Sequence, residues 1–178
     1  MKVICFGDSN TYGYDPRSYF GGRYPEDSRW VDILAAKTGW EVVNRGENGR
    51  CIPRQSVAFP ADTDLLILML GTNDLLQGGT PQQAAERMEH FLLGLSLERR
   101  KVLLVAPPPL VFGEWVPDER LIAASHVLAQ TYGNLAGQLG VRFADAGSWN
   151  VPLAYDGVHF TGQGHRAFAE GIYREVTR

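Results

Sequence analysis

Short apolar runs alternate with segments of helical period from one end of this chain to the other. Residues 2–6, 41–44, 64–70, 101–106 and 141–143 form runs that are close to continuously apolar, the pattern of strands buried on both faces of a parallel sheet. Between the first two, Trp30, Ile33, Leu34 and Lys37 share one helical face, and Gly39 is the kind of residue that ends such a helix. Thr80-Pro81-Gln82-Gln83 reads as an N-cap, a first-turn proline and a capping-box glutamine. Ala84, Met88, Leu92 and Leu95 then keep the helical spacing. A longer helix repeats Leu121, Ser125, Leu128, Tyr132, Leu135 and Leu139 in steps of four and three. Thr161 is placed to cap a last helix with Phe168, Ile172 and Val176 on its inner face.

Strands alternating with helices require right-handed βαβ crossovers. The expectation is an α/β fold, one domain over residues 1–178, with a parallel sheet and helices on both faces. No internal repeat, low-complexity segment or linker interrupts it. Two connections are longer than this scaffold needs. Residues 12–25 are rich in glycine and tyrosine, and residues 107–118 open with three successive prolines and carry Phe112 and Trp115. Long ordered connections often line functional sites, while exposed aromatics also mark subunit interfaces. Both roles stay open at this point, and with the second a homo-oligomer.

At 178 residues the chain is long enough for one full hydrophobic core. Its formal net charge is −3, with no run of like charges at either end, so electrostatics give no case for nucleic acid or an anionic membrane as partner. The opening apolar run is too short for a signal-peptide core, and no stretch has the length of a transmembrane helix. The expectation is a cytoplasmic protein. Cys5 falls inside the first apolar run and reads as a small buried hydrophobe, whereas Cys51 follows a glycine-rich loop that leaves room for partial exposure. Two such cysteines make neither a disulfide framework nor a metal-ligand pattern.

Gly7-Asp8-Ser9-Asn10 stands directly behind the first strand, where open α/β sheets place their ligands. An unassisted serine hydroxyl is a weak nucleophile and needs an adjacent base. Of His90, His126, His159 and His165, the first two lie in helical segments and the fourth inside the last helix, which leaves His159 as the candidate base. Asp156 precedes it by three residues, a spacing that brings both side chains to one side of a helical turn or tight loop. One ring nitrogen could then be held by the carboxylate while the other faces Ser9. Taken alone, Asp-x-x-His points first to a structural hydrogen bond. A metal site built from Asp156, His159 and His165 would lack any His-Glu-x-x-His or cysteine cluster, and no metal is expected.

Acyl transfer also requires donors aimed at a developing oxyanion. The candidates are the backbone N–H of Ser9, a loop N–H at Gly49 or at Gly46, and the side-chain amide of Asn73 just past the third strand. For Asn73 a simple turn-forming role is the alternative, and Asp74 reads as a cap or loop tie. Neither a Gly-x-Ser-x-Gly elbow nor a glycine-rich phosphate loop ahead of a helix is present.

Four blocks follow one another in fixed order: Gly7-Asp8-Ser9-Asn10-Thr11, Asn44-Arg45-Gly46-Glu47-Asn48-Gly49, Gly71-Thr72-Asn73-Asp74, and Asp156-Gly157-Val158-His159-Phe160. Together they resemble the SGNH (GDSL-type) hydrolase superfamily, and within it the arylesterase or acyltransferase-like branch. The resemblance implies a flavodoxin-like, SGNH-type sheet and a serine esterase without a cofactor. Its substrates would be small carboxylic esters, short-chain or acetyl, cleaved through an acyl-enzyme. Ser9 would be the nucleophile, His159 the base, Asp156 the acid that orients it, and Ser9, Gly49 and Asn73 the oxyanion donors. A carbohydrate O-deacetylase, a thioesterase or a lysophospholipase would use the same machinery, as would acyl transfer in place of hydrolysis. A non-catalytic binding protein on a hydrolase scaffold is the reading of a different class; its signature would be a missing catalytic group, and every expected group is present.

Overall fold

Each of the five apolar runs is a strand: β1 Lys2–Gly7, β2 Glu41–Gly46, β3 Leu65–Met69, β4 Val102–Ala106 and β5 Arg142–Asp145. The structure is a computed structural model that describes residues 1–18 and 20–178. Tyr19, within the long connection expected at residues 12–25, lies outside the described residues. The strands pair in parallel in the order β2-β1-β3-β4-β5, the flavodoxin-like arrangement. Six helices accompany them among the described residues: α1 Ser9–Tyr12, α2 Trp30–Thr38, α3 Thr72–Leu76, α4 Pro81–Leu93, α5 Glu119–Leu139 and α6 Gly162–Thr177.

Because successive strand residues point to opposite faces, the sheet divides its apolar side chains between two cores. Ile4, Phe6, Leu66, Leu68 and Leu104 pack with Met88, Leu128 and Tyr132 of α4 and α5. Val3, Cys5, Leu65, Ile67, Leu103 and Val105 pack with Trp30, Leu34, Phe168 and Ile172 of α2 and α6. Burial on both faces holds for β1, β3 and β4, whereas β2 and β5 are only partly covered. These two are the edges of the sheet, each with a neighbour on one side only.

The helix ends follow their local chemistry. Thr80 Oγ1 accepts the Gln83 N–H while Gln83 Oε1 accepts the Thr80 N–H, the reciprocal pair of a capping box. Gly39, at φ +68°, closes α2 in the left-handed conformation, and the Thr161 hydroxyl accepts the Gly164 N–H at the start of α6. Among the described residues no helix is long and apolar enough to cross a membrane.

From β1 the chain goes next to β2 on one side, and later enters β3 on the other. This reversal opens a crevice outside the carboxyl ends of β1 and β3, the place where such sheets bind ligands. Ser9 follows β1 and Asn73 follows β3.

Candidate active site

Ser9 is the first residue of α1, whose N-cap, Asp8, accepts the Asn10 N–H on its carboxylate. The Ser9 hydroxyl lies 3.0 Å from His159 Nε2. On the other side of the ring, Asp156 Oδ2 lies 2.7 Å from His159 Nδ1. The second carboxylate oxygen, Oδ1, accepts the backbone N–H groups of Val158 and His159, each at 2.9 Å. All three side chains are buried. Burial pushes the Asp156 carboxyl toward its neutral form, but the hydrogen bonds from the His159 ring and the two amides outweigh it and hold the group below the usual carboxylate range. The three-residue spacing therefore does what the sequence suggested, within a tight turn rather than a helix.

That turn is held from outside by the connection between β4 and α5. Backbone N–H groups of Val111, Glu114 and Trp115 donate to the carbonyls of Gly157, Tyr155 and Asp156 at 3.2, 3.2 and 3.0 Å. Two glycines allow the backbones to approach this closely. A Cβ on Gly157 would lie 2.2 Å from the Val111 carbonyl oxygen, and one on Gly113 would lie 2.3 Å from the Asp156 carbonyl carbon. The same connection carries Trp115, whose ring meets the His159 imidazole edge-on at 5.0 Å. Tyr14 approaches that imidazole at 4.6 Å. Its loop leans on the turn through the Tyr155 hydroxyl, which donates to the Pro16 carbonyl at 2.7 Å. Both long connections thus reach the site.

Ser9, Tyr14, Asn48, Gly49, Asn73, Trp115 and His159 line a cavity of about 190 Å³. Larger hollows, of about 220, 250, 560 and 690 Å³, contain none of these residues. The smaller cavity is the candidate active site, because it holds a hydroxyl and an imidazole in hydrogen-bond contact. Gly49 lies in the loop after β2 at φ +73° with open space where a side chain would be. Gly46 is instead the last residue of β2 beneath α1, where a Cβ would fall 2.0 Å from the Tyr12 nitrogen. Its bareness serves packing, and it does not line the cavity.

Asn73 is not in an isolated turn but in the first turn of α3. Its Nδ2 donates to the Arg50 carbonyl at 3.1 Å, which ties the loop after β3 to the loop after β2. Asp74 adds to the tie, accepting the Ile52 N–H on one oxygen and the Arg87 guanidinium on the other. His90 and His126 are exposed on their helices. His165 is buried in α6, where Nδ1 accepts the Trp30 N–H at 3.4 Å. Burial, with the Arg29 charge in support, depresses its pKa to about 3. Among the described residues no three histidine, cysteine, aspartate or glutamate side chains gather to hold a metal ion. Sequence reasoning gave Asn48 no role of its own and did not reach Tyr14 or the backbone contacts to the turn. Trp115 was visible only as an aromatic in an over-long, proline-rich connection.

Residues 5–167 match the model of the GDSL-like lipase/acylhydrolase family. Among solved structures, a protein of Agrobacterium tumefaciens provisionally described as an arylesterase is 32% identical, covers 99% of each chain and superposes with a TM-score of 0.82. The aryl esterase of M. smegmatis is 28% identical over 99% of this chain and 98% of its own, with a TM-score of 0.81. A carbohydrate acetylesterase family member from Sinorhizobium meliloti is 28% identical over 99% and 97%, with a TM-score of 0.79. No curated protein sequence matches the chain significantly. With a family match over nearly its whole length and these folds beside it, the chain belongs to the GDSL-like lipase/acylhydrolase family and is a carboxylic ester hydrolase.

Proposed function

We propose that this enzyme hydrolyses small acyl esters, of acetyl to short-chain size, through an acyl-enzyme at Ser9. One observation carries the reading: the unbroken contact from Ser9 Oγ to His159 Nε2 at 3.0 Å and from His159 Nδ1 to Asp156 at 2.7 Å, opening onto a cavity of about 190 Å³. The Asp156 carboxylate can only accept a hydrogen bond, so Nδ1 carries the proton of the neutral ring. Nε2 is then left with a lone pair facing the Ser9 hydroxyl. As Ser9 Oγ attacks the ester carbonyl, its proton passes to Nε2, and Asp156 stabilises the imidazolium that forms. The imidazolium next protonates the leaving alcohol, and the neutral ring activates water to release the acid. The Ser9 and Gly49 N–H groups and the Asn73 amide receive the oxyanion. Asn73 keeps one N–H on Arg50, which fixes the plane of the amide for the other.

The cavity sets the scale of the acyl group. At about 190 Å³ it is small beside typical ligand pockets of about 300–1,000 Å³, which favours a short acyl chain with its carbonyl over a long alkyl chain. The leaving group would face the half-exposed Trp115 at the rim. Phenols and sugars both present a ring to such a surface, in keeping with the aryl esterase and carbohydrate acetylesterase folds to which the chain is similar.

The test is a turnover series of aryl acetate, butyrate and octanoate esters beside an acetylated sugar and an acetyl thioester. Wild-type and Ser9→Ala enzyme would be compared, with covalent labelling by a fluorophosphonate. Turnover should fall from butyrate to octanoate, and both turnover and labelling should vanish in Ser9→Ala. Octanoate as the best substrate would refute the size argument, and full turnover in Ser9→Ala would refute the nucleophile.

A further inference from the structure

Asn10, the residue after the serine, has no part in the mechanism above, yet it is 4% exposed and fully engaged. Its backbone carbonyl accepts the Trp30 indole N–H at 3.0 Å, and its own N–H donates to Asp8. Its side chain reaches a segment about 150 positions further along the chain. Nδ2 donates to the Val158 carbonyl at 3.1 Å, and Oδ1 accepts the Phe160 N–H at 2.9 Å. These two partners are the neighbours of His159 on either side. A carbonyl only accepts and an N–H only donates, so one orientation of the amide satisfies both.

The geometry points to Asn10 as the positioning residue that sets the distance between Ser9 and His159, an inference that rests on the proposed roles of those two residues. The Asp156 carboxylate and the connection after β4 fix the internal shape of the turn, but neither refers it to the serine. Besides the Ser9–His159 contact itself, the two Asn10 bonds are the hydrogen bonds that join α1 to this turn among the described residues. Asn10 is covalently adjacent to Ser9 and grips the backbone on both sides of His159. The hydroxyl and the imidazole therefore move as one body. Two buried hydrogen bonds at right geometry resist displacement far better than one ring–hydroxyl contact, and a catalytic pair out of place by about 1 Å loses about a hundredfold in rate. An aliphatic residue would fill the space but leave a buried carbonyl and a buried N–H without partners.

The test compares Asn10→Ala and Asn10→Asp with wild type and with Thr63→Val. The last removes a hydrogen bond from the Thr63 hydroxyl to the Pro60 carbonyl, just ahead of the β3 amino end and away from the site. For each, kcat and KM per folded molecule, the rate of fluorophosphonate labelling and Tm are measured from pH 5 to 8. Asn10→Ala should lower kcat and the labelling rate together by about thirty- to a hundredfold while KM stays within threefold. Thr63→Val should lower Tm without touching kcat. Asn10→Asp supplies a second signature. A protonated carboxyl has the shape, donor and acceptor of the amide, whereas the carboxylate has no donor for Val158. The activity of Asn10→Asp relative to wild type should therefore climb as pH falls. If folded Asn10→Ala keeps wild-type kcat and labelling while Ser9→Ala is inactive, the positioning role is wrong and the proposed mechanism stands. If Ser9→Ala is itself fully active, the mechanism fails first.

Discussion

Gly113→Ala puts the smallest available side chain into the contact between the β4–α5 connection and the turn that carries Asp156. The added Cβ would lie 2.3 Å from both the Asp156 carbonyl carbon and the Gly157 nitrogen, and 2.6 Å from the Asp156 oxygen. Ordinary contact begins at 3.4 Å, so the two backbones must part by about 1 Å (3.4 less 2.3). Gly113 does not occupy the left-handed region, so alanine itself is not strained and the clash alone does the work. Three hydrogen bonds bind the connection to the turn, and the displacement falls on Asp156, whose carboxylate is drawn off the His159 ring while Asn10 holds His159 to Ser9. A misplacement of about 1 Å at reacting groups costs about a hundredfold in rate, or roughly 2.7 kcal/mol of transition-state stabilisation. The assay is steady-state hydrolysis of an aryl acetate, with the rate of fluorophosphonate labelling and the thermal midpoint measured on the same preparations. Gly137→Ala, in a helix interior with nothing near the added atom, is the control and should be neutral or slightly stabilising. We expect kcat of Gly113→Ala to fall about a hundredfold with KM little changed. A folded Gly113→Ala enzyme with kcat within threefold of wild type would show that the connection yields instead of the turn, and that it does not hold the acid in place.

Asn73→Ala should reduce kcat by about two to three orders of magnitude with KM within a few-fold, because an oxyanion donor acts on the transition state; full kcat under conditions where chemistry limits the rate would reduce Asn73 to a tie between loops. Burial raises the Asp8 carboxyl from 3.8 to about 6, so the folded state binds its proton more tightly than the unfolded chain does. The stability this confers is complete below pH 3.8 and is lost as pH rises through about 6, the difference amounting to roughly 3 kcal/mol. Asp8→Asn keeps a capping side chain without the charge, so thermal melts should show it more stable than wild type at pH 8 and no different at pH 4; an unchanged Tm at pH 8 would rule out a buried charge at Asp8. The opposite sign applies to His165, whose folded pKa is depressed from 6.5 to about 3. Stability from this group is present above pH 6.5 and declines as pH falls toward 3. His165→Gln should flatten the acid limb of the melting curve over that window, and an unaltered limb would refute a neutral buried imidazole there.

The sequence alone determined the parts of this protein that follow from short-range chemistry. Strand positions were legible in apolar runs, clearest in β1, β3 and β4 where burial on both sides leaves no room for polar residues, and the helices in their periodicity and caps. Ser9, Asp156 and His159 could be singled out because a nucleophile, a base and an orienting acid are few enough in kind to be sought as a set, and the four ordered blocks named the family. The edge strands β2 and β5 carry polar residues and are only partly covered, but the order in which the strands neighbour one another was not legible. Tertiary structure alone decided what depends on contact between distant segments. It separated Gly49, which faces the cavity, from Gly46, which lies beneath α1, although both are glycines of one loop motif. It brought Trp115 and Tyr14 against the His159 ring from connections whose sequences follow no periodic rule. It joined Asn10 to the backbone around His159, and Gly113 to that of Asp156. Backbone carbonyls and amides are identical at every position, and no pattern of side chains reports which of them will meet once the chain has folded.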